Sequence, residues 1–260
     1  PQELKQVLTT LFQSANPKAA KLKDLVLILP TKLTFIHIFK LPATLLEKGL
    51  YELLPLEAEN VIPFSMDDVY WDFTVLEKSK KGTKGTSQLV LFAAIQKNAA
   101  DSYAELFASL GVTPVLFGVQ PEALIYALSS QLDPSKNSFI IELGALSTNY
   151  LFTSGKTIRK YFSSNEGIDS FFHELAEKFH VSHDELLMSW EKSKNKPEFT
   201  EALQNFIESQ YKRARIILTE NLDVEVKKID DVYLTGEFSN LPRFFEQAKT
   251  FFPEYKVIVG

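Results

Sequence analysis

The sequence predicts an α/β protein built from two similar halves. Strand-like and helix-like patterns alternate along the chain, and each half places paired strands before strand–helix units. The order of patterns restarts after a polar stretch at Asp133–Ser138. The chain has 260 residues, which is long enough for two lobes. We therefore expect an N-terminal lobe over residues 1–132 and a C-terminal lobe over residues 133–260.

In the first half, short strands surround one amphipathic helix and lead into two further helices. The predicted helices are Lys5–Phe12, Ala43–Val61, Ala99–Leu110 and Pro121–Leu132, and the predicted strands are Leu25–Leu29, Thr34–Phe39, Val69–Leu76, Gln88–Ile95 and Pro114–Val119. Pro55 lies inside the second helix and should kink it, because proline has no amide hydrogen to donate. We interpret residues 41–98 as a small subdomain inserted into this lobe.

In the second half, three closely spaced strands precede the helices. The predicted strands are Phe139–Leu143, Asn149–Thr153, Thr157–Phe162, Val232–Thr235 and Tyr255–Val259, and the predicted helices are Gly167–Phe179, Asp184–Glu191, Glu198–Leu222 and Leu241–Phe251. The longest of these helices carries apolar residues at helical spacing, which predicts that one face packs on the core.

The composition excludes several classes of function. The net charge is -5, and the one basic cluster, Lys78–Gly85, has the character of a solvated loop, so we expect no nucleic-acid partner. The chain has no cysteine, which rules out disulfides, thiolate metal ligands and a thiol nucleophile, and fits a reducing compartment. No charge-free run is long enough to span a bilayer.

Two short motifs suggest phosphate binding. Gly155-Lys156-Thr157 has the ending of a P-loop, but the position where that motif needs its first glycine is Tyr150. The motif also lies between two predicted strands instead of opening a helix, so we predict a hairpin turn there.

The second motif is a turn that begins with Glu142 and Gly144. A strand that ends in an acidic residue, followed by glycine and then by Ser147 and Thr148, can direct backbone amides at a phosphate. The acidic side chain can meanwhile hold a water of a Mg²⁺ shell. The alternative is an ordinary strand end with a turn, and the motif taken alone favours this alternative.

Three histidines cluster in the sequence HELAEKFHVSH. His173, Glu177 and His180 are spaced to share one helix face, with His183 just beyond. Zinc binding is conceivable, but the HExxH spacing is absent and histidines are common on the surface of amphipathic helices. We predict no metal site, and we find no catalytic serine, histidine and aspartate spacing.

Four stretches, in order along the chain, carry a resemblance to a known family. They are Leu41–Phe73 with its Glu-Ala and Ile-Pro-Phe motifs, Gln88–Leu128, the turn-containing stretch Glu142–Thr157, and Leu234–Gln247. As a set they resemble the PilM family of type IV pilus assembly proteins, actin-fold relatives of FtsA and of the cytoplasmic domain of the type II secretion protein GspL. The resemblance implies an actin-like ATPase fold with two ribonuclease-H-like α/β lobes, of which the first strand hairpin is missing here.

The resemblance also implies a nucleotide site, with ATP and Mg²⁺ as the cofactors. The residues it would use are Glu142, Gly144, Ser147, Thr148, Gly167, Glu208, Lys212 and Gly236. Three positions depart from the family pattern: glutamate replaces aspartate at Glu142, one glycine is kept in Asn165-Glu166-Gly167, and a Gly-Gly pair is replaced by Gly236-Glu237. Glu237 would place a charged side chain where a nucleotide needs close approach. We therefore expect nucleotide binding to be weakened or lost.

The function implied by the resemblance is that of a non-enzymatic scaffold. It would bind the cytoplasmic tail of a PilN-like membrane protein, lie in the cytoplasm at the inner face of the inner membrane, and have no catalytic residues. The predicted tail-binding residues are Leu46, Leu50, Leu53, Ile62 and Phe64, whose alternative role is core packing. Two other functions stay open: an actin-fold ATPase or nucleotide switch, and a GspL-like secretion component.

Overall fold

A computed structural model describes residues 2–15, 25–77, 87–193, 196–223, 226, 228–236 and 244–260. The chain divides into two compact units, Pro1–Leu124 and Ile125–Gly260. The predicted basic loop Lys78–Gly85, Glu237 and the first residues of the last predicted helix lie outside the described residues. The lobe boundaries at 132 and 133 stay a prediction.

The helices and strands of the first unit follow the predicted order. They are α1 (Gln2–Ser14), β1 (Leu25–Ile28), β2 (Thr34–Pro42), α2 (Glu47–Ala58), β3 (Val69–Glu77), β4 (Ser87–Gln96), α3 (Lys97–Ala108), β5 (Pro114–Gly118) and α4 (Gln120–Ala127), which extends into the second unit. Most predicted helix bounds are off by one to three residues, and two are off by more. The second helix begins at Glu47 instead of Ala43, after a turn in which the Leu45 amide donates to the Pro42 carbonyl (3.1 Å). The fourth ends at Ala127 instead of Leu132, and turns follow it.

The first unit contains two sheets. β2, β4 and β3 form an antiparallel sheet in that order, and α2 packs on it through Leu50, Leu54 and Ala58. β1 and β5 form a separate parallel pair, and they bond to no other strand in the part of the chain that the structure describes. Period-two alternation in β3 buries its inward residues against α2, which is why this segment forms a strand.

The second unit contains β6 (Asn137–Leu143), β7 (Thr148–Ser154), β8 (Thr157–Ser164), α5 (Ile168–Phe179), α6 (His183–Ser193), α7 (Pro197–Glu220), β9 (Asp231–Thr235), α8 (Phe244–Phe251) and β10 (Lys256–Val259). Its sheet has the order β10-β9-β6-β7-β8, with β6, β7 and β8 antiparallel and β6, β9 and β10 parallel. A ribonuclease-H-like lobe has this arrangement, in which three antiparallel strands are followed along the chain by two parallel ones.

The core of the second unit lies between this sheet and its helices. The stripe on α7 that includes Phe206, Ile207 and Leu218 is buried there, as its helical spacing predicts. Gly155 and Lys156 connect β7 to β8, whose Ser154 and Thr157 pair directly, so the predicted hairpin turn is confirmed. Gly155 has φ +56°, a conformation that glycine adopts without strain.

Candidate functional site

A tight turn at the carboxyl end of β6 is the centre of the candidate site. The Gly144 amide donates to the Ser147 carbonyl (2.9 Å) and closes the turn between β6 and β7. Glu142 pairs with Thr235 across the parallel β6–β9 ladder, so Gly236 lies beside the turn. In open α/β sheets, ligands bind outside the carboxyl ends of strands where the strand order reverses. The fold therefore brings Glu142, Gly144, Ser147 and Gly236 to such a position.

Two predicted glycines pack directly on the backbone of this turn. A Cβ atom at Gly167 would overlap the Ala145 carbonyl and lie 2.6 Å from the Gly144 oxygen. Gly236 has φ +96°, and a Cβ there would lie 2.8 Å from the Leu143 carbonyl carbon. Neither position has space for a side chain, so both glycines are needed for close packing.

The first amides of α5 hold the turn in place. Ile168 and Asp169 donate to the carbonyls of Gly144 and Ala145 at 3.1 and 2.9 Å. The amino end of a helix often binds an anion through such free amides. Here two of them are already used by the protein, which makes the turn rigid.

The polar side chains of the turn bond to one another. The side-chain amide of Asn149 donates to Glu142 Oε2 (2.5 Å), and the Tyr161 hydroxyl donates to Asn149 Oδ1 (2.7 Å). The Thr148 hydroxyl donates to the Glu166 carbonyl (2.7 Å). Glu142, Thr148 and Asn149 are all buried. The structure thus satisfies these groups internally, as buried polar groups require.

Helix α7 contributes two residues that the sequence analysis missed. Gln210 is 2% exposed, and its Oε1 lies 3.4 Å from the Thr148 hydroxyl oxygen. Arg213 donates to Ser164 Oγ (2.8 Å) and to Glu166 Oε1 (2.9 Å). The hydrogen bonds between Arg213 and Glu166 lower the pKa of that carboxyl below its usual value and raise the pKa of the guanidinium.

The residues predicted on α7 lie elsewhere. Lys212 and Glu208 face each other across one helical turn at 3.5 Å, and Gln204 also contacts Glu208. None of the contacts in the described part of the chain joins Glu208 or Lys212 to the turn. Their role at a nucleoside stays a prediction.

A cavity of about 440 Å³ lies between α5 and α7 and extends to Glu166, the residue before Gly167. Its walls combine apolar and charged side chains: Glu166, Phe171, Glu174, Leu175, Lys178, Ala202, Asn205, Phe206 and Ser209. The volume is within the range of small-molecule sites, which runs from about 300 to 1,000 Å³. Glu166 connects this cavity to the polar network around Thr148.

The turn fits one part of the implied cofactor and not the other. The amides of Ala145, Leu146 and Ser147 have no acceptor within the described residues, so they are available to a phosphate. Glu142, in contrast, is 7% exposed and bonded to Asn149, so its carboxylate is not available to the water shell of Mg²⁺. The phosphate side fits, and the metal side does not.

The first unit has a smaller groove between the β1–β5 pair and the three-stranded sheet. Its volume is about 150 Å³, and its lining is mostly apolar: Leu29, Thr34, Tyr70, Trp71, Asp72, Ala93, Ala94, Ile95, Phe117 and Val119. The predicted tail-binding residues do not line it. Leu50 and Ile62 are buried in the core around α2, and Leu53 packs against that core. Leu46, at 78% exposed, and Phe64 are on the surface.

Comparison with known proteins identifies the family. Residues 2–250 match the family model of the type IV pilus assembly protein PilM. The chain belongs to the PilM family.

Comparison with solved structures gives matches of low sequence identity. A chain of a PilM-PilN type IV pilus biogenesis complex matches 100% of this chain and 75% of its own length, with TM-score 0.85 and 20% identity. The match to EutJ of Carboxydothermus hydrogenoformans covers 62% of this chain and 56% of EutJ, with TM-score 0.48 and 19% identity. The match to the archaeal actin homologue Ta0583, in complex with ADP, covers 57% of this chain and 53% of the homologue, with TM-score 0.43 and 16% identity. No curated protein sequence matches the chain.

The predicted actin-like fold is confirmed by the PilM match together with the strand order of the second unit. Within the described residues, no helix is both long and apolar enough to cross a membrane. The PilM family resemblance led to Glu208 and Lys212 on α7, whereas the structure places Gln210 at the turn. Gln210 lies within the apolar stripe, four residues from both Phe206 and Ala214, and a polar residue there was a signal that could have identified it.

Proposed function

We propose that this chain is a scaffold subunit that binds the cytoplasmic tail of a PilN-like inner-membrane protein. The observation that carries the proposal is the PilM family match over residues 2–250, together with the shared fold of a chain from a PilM-PilN complex. The scaffold works in the cytoplasm, against the inner face of the inner membrane, and performs no catalysis. Its role is to connect the tail to the rest of the pilus assembly machinery.

The groove in the first unit is the proposed docking site for the tail. β3 is an edge strand of its sheet, and its residues Tyr70, Trp71 and Asp72 line the groove. An edge strand offers unpaired backbone groups to an extended peptide, and neighbouring apolar pockets select its side chains. The groove has both features. Leu46 and Phe64 are the two predicted residues that a longer tail can also reach, since they are exposed.

Titration of the tail peptide tests this site. A fluorescent peptide with the sequence of the PilN-like tail is titrated with the chain, and its polarisation is recorded. Ala93 is half-buried in the wall of the groove, so Ala93→Leu fills the groove without removing a core contact. We expect at least a tenfold loss of affinity, about 1.4 kcal/mol. Leu56→Ser, on the exposed surface of α2 and outside the groove, is the matched control and should bind like the parent. Equal binding by all three proteins would rule out the groove.

Weakened nucleotide binding is part of the same proposal. The buried contact between Glu142 and Asn149 removes the carboxylate from solvent, and the Thr148 hydroxyl is committed to the Glu166 carbonyl. A nucleotide would have to break these bonds or bind without them. We therefore expect Mg-ATP and Mg-ADP to bind poorly.

A nucleotide switch is the second candidate function. It is favoured by the three amides of Ala145, Leu146 and Ser147 that have no acceptor among the described residues, and by the adjoining cavity. A thermal melt with saturating Mg-ATP separates the candidates. Ligand at 100 times its dissociation constant stabilises by about 2.7 kcal/mol, a rise of roughly 5–10 °C. A rise of that size would favour the switch, and no rise would favour the scaffold with weakened nucleotide binding.

A further inference from the structure

Two histidines and one aspartate meet where α5 and α6 face each other. His173 lies one helical turn after Asp169 on α5, and His183 is the first residue of α6. The nearest ligand atoms of all three residues lie within 4.8 Å of one another. Asp169 Oδ1 is 3.1 Å from His183 Nε2, and Asp169 Oδ2 is 3.4 Å from His173 Nε2.

From these positions we infer a site for one divalent transition-metal ion, of the class to which Zn²⁺ and Co²⁺ belong. Bonds of about 2.0–2.1 Å at a tetrahedral centre place neighbouring ligand atoms about 3.4 Å apart. The distances from Asp169 Oδ1 to His183 (3.1 Å) and from Asp169 Oδ2 to His173 (3.4 Å) are close to that spacing, with each oxygen facing one histidine. Two imidazoles and one carboxylate form the ligand set of zinc sites that keep an open coordination position. One water completes the shell.

The orientation of His183 supports a shared ion over a direct hydrogen bond. Its Nε2 is buried, and no acceptor within the described residues meets hydrogen-bond geometry, although Asp169 Oδ1 is near. The rings of His173 and His183 are neighbours, with centroids 4.2 Å apart. A cation between them would satisfy all three groups.

The local structure holds His183 in place before any ion binds. Ser182 and Glu185 form a capping box: the Glu185 amide donates to Ser182 Oγ (3.2 Å), and the Ser182 amide donates to Glu185 Oε2 (3.0 Å). This fixes the start of α6 and therefore the direction of His183. Asp184 Oδ1 lies 3.7 Å from His183 Nδ1, where a carboxylate can orient a ligand ring.

This site differs from the one considered in the sequence. The spacing pointed to His173, Glu177 and His180, and we predicted no metal. In the structure His180 ends α5 in a left-handed conformation, with φ 54°, and is not among the clustered residues. Asp169 takes the third position instead, because residues four apart share a helix face.

Metal titration of the tag-free chain tests the site. The protein is treated with chelator, dialysed and titrated with Co²⁺, while visible absorption reports coordination, and Zn²⁺ is then added as a competitor. We expect one ion per chain and displacement of Co²⁺ by Zn²⁺. Saturating Zn²⁺ should raise the melting temperature by roughly 5–10 °C.

Single substitutions identify the ligands. His173 is 60% exposed, so His173→Ala should fold normally, and we expect it to weaken binding by at least about tenfold. Asp169→Ala and His183→Ala should do the same. His180→Asn is the matched control, because asparagine tolerates the left-handed conformation, and it should bind like the parent. No binding by the parent, equal binding by His173→Ala, or an equal loss in His180→Asn would overturn the inference.

Discussion

The packing of Gly167 on the turn can be tested by a single added methyl group. In Gly167→Ala the new Cβ overlaps the Ala145 carbonyl, so either the turn or the start of α5 has to shift. Overpacking of this kind costs about 1–3 kcal/mol. The shift also weakens the two hydrogen bonds from α5 to the carbonyls of Gly144 and Ala145, at about 0.5–1.5 kcal/mol each. The sum is about 2–6 kcal/mol.

Differential scanning calorimetry measures this loss. At roughly 2–4 °C per kcal/mol, the transition of the second unit should move down by about 4–24 °C. Gly49→Ala in α2 is the control, since its Cβ meets only the flexible Leu45 side chain at 3.2 Å. Alanine is the better helix former by about 0.5–1 kcal/mol, so the control should melt at or above the parent temperature. A Gly167→Ala variant that melts with the parent would refute the close packing of α5 on the turn.

Three further predictions concern single side chains. Arg213→Ala should raise the pKa of Glu166 towards its usual value of 4.5, which NMR titration can follow. In the parent, the lowered pKa stabilises the fold at higher pH, and this stability is lost as the pH falls through the lowered pKa. The variant should lack this contribution to stability. Tyr150 has a buried hydroxyl with no partner among the described residues, so Tyr150→Phe should stabilise by about 1–2 kcal/mol in urea. Burial also raises the pKa of Tyr150, so the parent should lose stability above pH 10.0, and the variant should lose less. Leu54→Ala, at a fully buried position under the three-stranded sheet, should cost about 2–5 kcal/mol, and a smaller loss would show that this core relaxes.

The order of helices and strands could be predicted because periodicity reports directly on burial. β4 reads as a run of apolar residues and is buried on both faces, while α7 shows the 3.6-residue stripe of a helix packed on one side. Helix ends were harder to predict. Leu128 and Leu132 continue the apolar spacing of α4, yet both are buried in turns, so their burial does not require a helix.

The candidate site could be predicted only where the backbone decides it. Gly144 was predicted from its strand-end motif, and Gly167 and Gly236 from the family resemblance. The three meet at the turn because the close backbone packing there has space only for glycine. The side chains around the turn depend on which face of α7 points inward, which is a tertiary property. For that reason Gln210, and not Glu208, reaches Thr148.

The contacts that stabilise the turn also oppose nucleotide binding. A phosphate site needs donors that are unpaired before the ligand arrives, and a Mg²⁺ shell needs an accessible carboxylate. Glu142 is instead buried and bonded to Asn149, whose own carbonyl oxygen accepts from Tyr161. Breaking this chain of bonds leaves buried polar groups unpaired, at about 1–3 kcal/mol each. A nucleotide that used Glu142 for its Mg²⁺ shell would have to supply that energy, whereas a tail bound to the first unit breaks none of these bonds. The balance of these costs favours the scaffold over the switch.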